Sequence, residues 1–247
     1  GDEDVSQTKT ITHEQFQKIT EYLKKKRNAS LLAIQISYYA GLRIGEVAGL
    51  SWSDVNLEEQ HLTIRRSLNR NSTRHKLELG ATKSNKVRIV DFGDTLAEIL
   101  RKAKKEQLKQ RLQYGELYKR NYYKEVKEKN RIHYELYSLD GTQEVPEDYK
   151  EISLVCVRKD GMYLGTDALS NMCSSIAKHV DGLEHFHFHL LRHTFTSNLL
   201  ASGAPPKDVQ ELLGHSAVST TMNIYAHATR EAKRNSVRLL DKVAGND

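Results

Sequence analysis

Cysteine is scarce in this sequence: Cys156 and Cys173 are the only two in 247 residues. That excludes a disulfide-stapled mini-protein, and their spacing fits none of the paired-cysteine zinc motifs. A chain of this length buries about 70 to 75% of its unfolded surface without crosslinks. Long apolar runs are missing too. No stretch approaches the roughly 18 residues that span a membrane, which excludes an ordinary helical membrane protein. The opening GDEDVSQTKT has none of the basic, apolar and small-residue regions of a secretory signal. A reducing cytoplasm is the expected compartment. No internal repeat is visible, and of the three prolines two, Pro205 and Pro206, stand side by side at what reads as a helix start.

Charge is plentiful and unevenly placed. The 38 Lys and Arg against 32 Asp and Glu give a net charge of +6 and a pI near 9.1, compatible with a polyanionic partner. Residues 99–134 alone hold twelve Lys and Arg against four Glu, so the rest of the chain is net acidic. Tyrosines interleave the basic residues there, a composition that can track a phosphate backbone and stack on bases. A solvated helix with a charged outer face is the plainer reading of the same stretch.

Hydrophobic periodicity predicts an α+β domain, mostly helical, with one small sheet at its side. Thr12 and Gln15 have capping-box spacing, and Phe16, Ile19 and Leu23 form the buried stripe of a first helix. A second apolar helix runs from about Ser30 to Gly41, and IGEVAGL makes a short third. From His61 the period changes to two. HLTIRRSL, HKLELGAT and KVRIVDF read as three antiparallel strands, the last pair joined by the turn KSN. Helical signals return at Asp94 and continue into the basic segment, which turns irregular near DGTQEVPED before a short strand ISLVCV. Five more helices follow: TDALSNMCSSIAKHV, HLLRHTFTSNLLASG, PPKDVQELLG, STTMNIYAH and REAKRNSVRLLDKV.

Taken singly, the polar residues on these helices prove little; their ordered set is informative. Arg43 lies in AGLRIGEVAGL, Lys83 in the turn of TKSNKVRIV, His189 and Arg192 in HLLRH, His215 in ELLGHS and Tyr225 in TTMNIYAH. His189 and Arg192 stand three apart, on one helical face. With L-L-R-H-T-F, then L-G-H-S, then I-Y in this order, the sequence resembles the tyrosine recombinases, the integrases of temperate phages and conjugative transposons. The resemblance runs from about Thr12 to Ala228 and is interrupted by the basic insertion at about 105–150.

That resemblance implies a reaction. The Tyr225 hydroxyl attacks a DNA phosphodiester, giving a 3′-phosphotyrosyl enzyme and a free 5′-hydroxyl, so bond energy is kept and no ATP is used. Arg43 and Arg192 would clamp the non-bridging oxygens, replacing a metal ion, so neither metal nor cofactor is expected. Lys83 would protonate the leaving 5′-oxygen, with Lys86 in reserve, and His189 would accept the tyrosine proton. His215 would hydrogen-bond a phosphate oxygen, and Glu46 would orient its neighbours. Arg70, Arg74, Lys86 and Arg88, near the hairpin, are expected to touch DNA.

The implied partners are double-stranded DNA at attachment sites, further copies of the chain forming a tetramer on DNA, and excisionase or DNA-bending accessory proteins. Full-length members carry a core-binding domain ahead of the catalytic one. Residues 1–11 therefore read as a linker remnant, 12–228 as a catalytic domain, and 229–247 as a C-terminal helix exchanged between protomers through Val237, Leu239, Leu240 and Val243. Such a protein would be cytoplasmic, DNA-associated and bacterial. Two rival readings remain open. One is a DNA-binding regulator with an idle site; the other is a metal-dependent phosphodiesterase built on His185, His187, His189 and His193. Tyr38 and Tyr39 are alternative nucleophiles on paper, in a helix apolar enough to make them core.

Overall fold

A computed structural model describes residues 10–71, 76–82, 86–128 and 131–214. The expected helices STTMNIYAH and REAKRNSVRLLDKV, and with them the 229–247 tail, lie outside the described residues. Three helices open the domain: α1 (His13–Lys25), α2 (Ser30–Ala40) and α3 (Ile44–Ala48). Three others follow the sheets, α5 (Thr166–His179), α6 (His189–Ala201) and α7 (Pro206–Leu213), and the long α4 (Asp94–Tyr114) lies between.

The capping box at the start of α1 is present: Gln15 N–H donates to Thr12 Oγ1 at 3.1 Å, and Thr12 N–H donates to Gln15 Oε1 at 2.9 Å. Phe16, Ile19 and Leu23 face inward as the spacing requires. Helix α2 has no polar stripe because it packs against α1, α3, α4, α5 and α6. Its Ile34 and Ile36 join Leu42, Leu62, Leu96 and Leu169 among the fully buried side chains, each worth about 1.5–3 kcal/mol of transfer free energy. Gly41 ends α2 in the left-handed region at φ 67°. A Cβ there would stand 2.4 Å from Phe195 Cδ1, so both the turn and the approach of α6 need glycine.

The strands depart from the expected arrangement. HLTIRRSL is two strands, β2 (His61–Ile64) and β3 (Ser67–Arg70), which belong to different sheets. The break falls at Arg65 and Arg66, whose guanidiniums both hold the buried Asp54 carboxylate, at 2.8 and 2.6 Å. In the first sheet β2 lies between β1 (Val55–Asn56) and β5 (Arg88–Asp91), all antiparallel, with His61 opposite Asp91 and Ile64 opposite Arg88. A three-stranded sheet is therefore present, with Val55–Asn56 where HKLELGAT was expected.

HKLELGAT instead supplies β4 (Leu77–Gly80) to a second, five-stranded sheet. Its order is β3-β4-β7-β6-β8, with β6 (Arg120–Glu128), β7 (Arg131–Leu139) and β8 (Tyr149–Ile152). The basic segment is thus helical only as far as Tyr114. Gly115, at φ 54°, ends the helix, and the chain then forms a hairpin of two nine-residue strands. The period of two was hidden by the charges: Leu79, Tyr134 and Leu136 pack inward while the lysines of β6 stay at the surface. The last strand starts earlier than ISLVCV suggests, and Leu154 and Val157 make only isolated bridges.

Candidate active site

Helix α3 begins at Arg43, whose extended backbone leaves its own N–H pointing at the side chain three residues on. Glu46 accepts it at Oε2, 2.9 Å, and accepts Arg43 Nη1 at Oε1, 3.1 Å. Arg88 meets the same carboxylate from the strand side, Nη1 on Oε1 at 2.9 Å and Nη2 on Oε2 at 2.7 Å. Glu46 is 2% exposed. Burial alone would raise its carboxyl pKa. The hydrogen bonds and charge of Arg88, then those of Arg43, outweigh that and hold it below the usual range.

Arg192, on α6, completes the group. It is 2% exposed and donates Nη1 to the Gly41 carbonyl at 2.8 Å and Nη2 to the Leu213 carbonyl at 2.7 Å. Burial first, and the neighbouring charge of Arg43 second, push its pKa down from the ordinary arginine value. The Leu212 carbonyl, one residue earlier, accepts Arg88 Nε at 2.8 Å. Two guanidiniums therefore cap the last turn of α7, where the helix dipole favours cations. Gly214 then turns the chain at φ 61° close against Arg88.

His189 opens α6 with its ring 4.9 Å from that of His193. One side of it reaches solvent. The packed side, together with His193, Arg192, His187 and Arg43, pushes its pKa down to about 4, so the imidazole is neutral and able to accept a proton at neutral pH. The set Arg43, Arg88, Arg192 and Glu46 carries three guanidiniums against one carboxylate in a largely dry location. Such a set favours a bound anion with oxygens to share among forked donors.

The structure thus brings together Arg43, Glu46, Arg192 and His189 from both ends of the described chain. Lys83, Arg74, His215 and Tyr225 lie outside the described residues. Lys86 is exposed, and its carbonyl accepts the Thr82 hydroxyl at 3.0 Å between β4 and β5, which lie in different sheets and are not the expected hairpin. Arg70 is paired with Asp167. Arg88 departs from the expected DNA contact: its side chain is 8% exposed and is engaged with Glu46 and Leu212. Its inward aim was legible in the period of two, since Arg88, Val90 and Phe92 share a strand face and the latter two are buried.

The rival residues are placed elsewhere or apart. Tyr38 stacks on Phe16 at 3.6 Å in the core, and Tyr39 meets both edge-on. Phe186 and Phe188 are buried while His185 and His187 point outward. Among the described residues no three His, Cys, Asp or Glu side chains gather as a metal-binding group.

Guanidiniums from α3 and β5 thus converge on one buried carboxylate, with a third, Arg192, close by. The chain is a member of the phage integrase family, whose model matches residues 9–232. It is 27% identical over 246 residues to a XerC-like tyrosine recombinase of Caldanaerobacter subterraneus subsp. tengcongensis, covering 96% of this chain and 54% of that protein. It is likewise 27% identical over 244 residues to the transposase of transposon Tn916 from Enterococcus faecalis, covering 98% of this chain and 53% of that protein. The chain thus spans about half the length of these relatives. In fold it resembles the Tn1549 transposon integrase solved with transposon right-end DNA, with a TM-score of 0.66 at 21% identity over 98% of this chain and 69% of that one.

Proposed function

We propose that the chain is the catalytic portion, residues 12–228, of a site-specific DNA recombinase that integrates or excises a mobile element. The observation that carries this reading is the gathering of Arg43, held by the Glu46 carboxylate, with Arg192 and His189. Tyr225 Oη attacks the scissile phosphorus, the P–O5′ bond breaks, and the 3′-phosphate remains on the tyrosine. The tyrosine proton passes to His189, neutral in the free protein, and the 5′-oxygen takes a proton from Lys83 or, in its place, Lys86. Arg43 and Arg192 hold the charge that develops on the non-bridging oxygens, with His215 as a further donor. Attack by another strand's 5′-hydroxyl reverses the step.

The partners in this reading are duplex DNA at the crossover sites and further copies of the chain, four in the synapse. Excisionase or DNA-bending proteins set the direction. The basic residues Arg70, Arg74 and Lys86 hold phosphates. The residue 229–247 tail links neighbouring protomers. Among the described residues no helix is long and apolar enough to cross a membrane, in keeping with a DNA-associated protein.

The test is a nicked duplex carrying an attachment site, incubated in EDTA and run on a denaturing gel beside Tyr225→Phe. A covalent protein–DNA band that needs no divalent ion and vanishes in the variant is the expected result. Tight DNA binding without a band, in the full-length protein as well, would instead favour a regulator with an idle site.

A further inference from the structure

We propose that Arg88 is a positioning residue of this active site: it satisfies Glu46 so that Arg43 stays available to the scissile phosphate, and it anchors the end of α7 next to His215. The inference rests on the phosphodiester reading given above and assigns a role to a side chain outside the set of groups that touch the reacting atoms.

The geometry is specific. Each Glu46 oxygen accepts one donor from Arg43 and one from Arg88: Oε1 takes Arg43 Nη1 and Arg88 Nη1, and Oε2 takes the Arg43 amide and Arg88 Nη2. The carboxylate is 2% exposed, so water is a poor substitute for any of the four. Arg43 keeps a quarter of its side chain exposed and gives Glu46 a single guanidinium nitrogen. Without Arg88, Arg43 is the remaining residue hydrogen-bonded to the buried carboxylate. The expected rearrangement is a bidentate Arg43–Glu46 pair, which turns the Arg43 fork inward and cancels its charge where the phosphate must bind.

The second anchor is Arg88 Nε on the Leu212 carbonyl at 2.8 Å, next to the Leu213 carbonyl held by Arg192. Gly214 packs against Arg88, where an added Cβ would stand 3.1 Å from Arg88 Cδ. One side chain on β5 thus ties that strand to the start of α3 and to the end of α7. Lysine cannot replace it, because a single ammonium cannot span both carboxylate oxygens and reach the carbonyl together.

The experiment reads the charge clamp without requiring cleavage. In a Tyr225→Phe background, affinity is compared for an attachment-site duplex with an ordinary scissile phosphate and for one with a neutral methylphosphonate at that position. Arg43 available to the phosphate makes the parent prefer the charged site by about tenfold. Arg88→Met is expected to reduce that preference to less than about twofold, and Arg88→Met with Glu46→Gln to recover part of it, because the neutral amide no longer captures Arg43. A merely structural role predicts that the second substitution adds to the damage. Thermal melts accompany each variant, and Arg88→Lys is read in the same way should the methionine variant not fold. An unchanged preference in folded Arg88→Met or Arg88→Lys, or a deeper loss on adding Glu46→Gln, would overturn the proposal. In the cleavage assay with Tyr225 intact, the Arg88 variants should slow band formation about 10- to 100-fold. Absence of the band in the parent protein overturns the recombinase reading alone, since the binding comparison needs no cleavage.

Discussion

Two of the buried charge clusters among the described residues add up differently. In the first, Arg43 and, from β5, Arg88 hold one carboxylate, Glu46, with Arg192 close by, and positive charge is left over. In the five-stranded sheet, Glu78 and Glu135 are buried with His133, and Lys76 reaches in to Glu135 at 2.8 Å while the Tyr137 hydroxyl donates to the same carboxylate. Asn71 Nδ2 donates to Glu78 at 2.9 Å. Burial would raise the Glu135 pKa, but Lys76, Tyr137 and His133 together hold it down to about 2. In the sheet cluster Lys76, Tyr137 and Asn71 serve the carboxylates, whereas in the other Arg43 gives Glu46 a single guanidinium nitrogen and has donors to spare. The contrast separates a ligand site from a structural network better than burial or pKa shift does, since both clusters have strongly perturbed groups.

Substitutions should split along that line. Glu46→Ala leaves Arg88 buried without its carboxylate and should cost about 3–5 kcal/mol, with loss of strand cleavage; a melt together with the nicked-substrate assay measures both. Glu135→Gln keeps the shape of the sheet cluster and should cost about 1–3 kcal/mol while strand cleavage by the folded protein stays near normal. A cleavage defect matching that of Glu46→Ala would erase the distinction between the clusters.

Acid sharpens the comparison through two groups whose folded pKa values lie below their unfolded ones. His189 titrates near 6.5 when unfolded and about 4 when folded, so the unfolded chain binds more protons in between. Stability at that residue falls as pH drops from about 6.5 to 4 and levels off below. Glu135, about 2 when folded against 4.5 ordinarily, loses its contribution lower, between about pH 5 and pH 2. Melting temperatures across pH 3–8 should show two descents, with His189→Asn flattening only the upper one. The smallest effect is expected at Tyr38→Phe, which keeps the 3.6 Å stack on Phe16 and should change stability by less than about 1 kcal/mol, with cleavage intact. Loss of the covalent band in that variant would move the nucleophile out of the Tyr225 region.

Helix α1 and its capping box were legible because every contact that starts the helix lies within four residues. Arg43, His189, Arg192 and Glu46 were found through motif order, and their convergence follows from α2 packing on α6. The sheet partners were not legible. Strands β2 and β3 form one continuous run of alternating residues, and only Asp54, gripped by Arg65 and Arg66, reveals that the run changes sheets. The β6–β7 hairpin was concealed in the same way, its period overlaid by a charge pattern that a surface helix would share.

The division follows the range of the forces involved. Capping, helix periodicity and the order of reactive side chains are local, so neighbouring residues specify them whatever the rest of the chain does. Pairing of strands across separate segments, and the choice of Arg88 as partner to Glu46, depend on contacts between residues distant in sequence, 42 apart for Arg88 and Glu46. Those contacts form only once the core has excluded water, when a guanidinium and a carboxylate must find each other or remain unsatisfied.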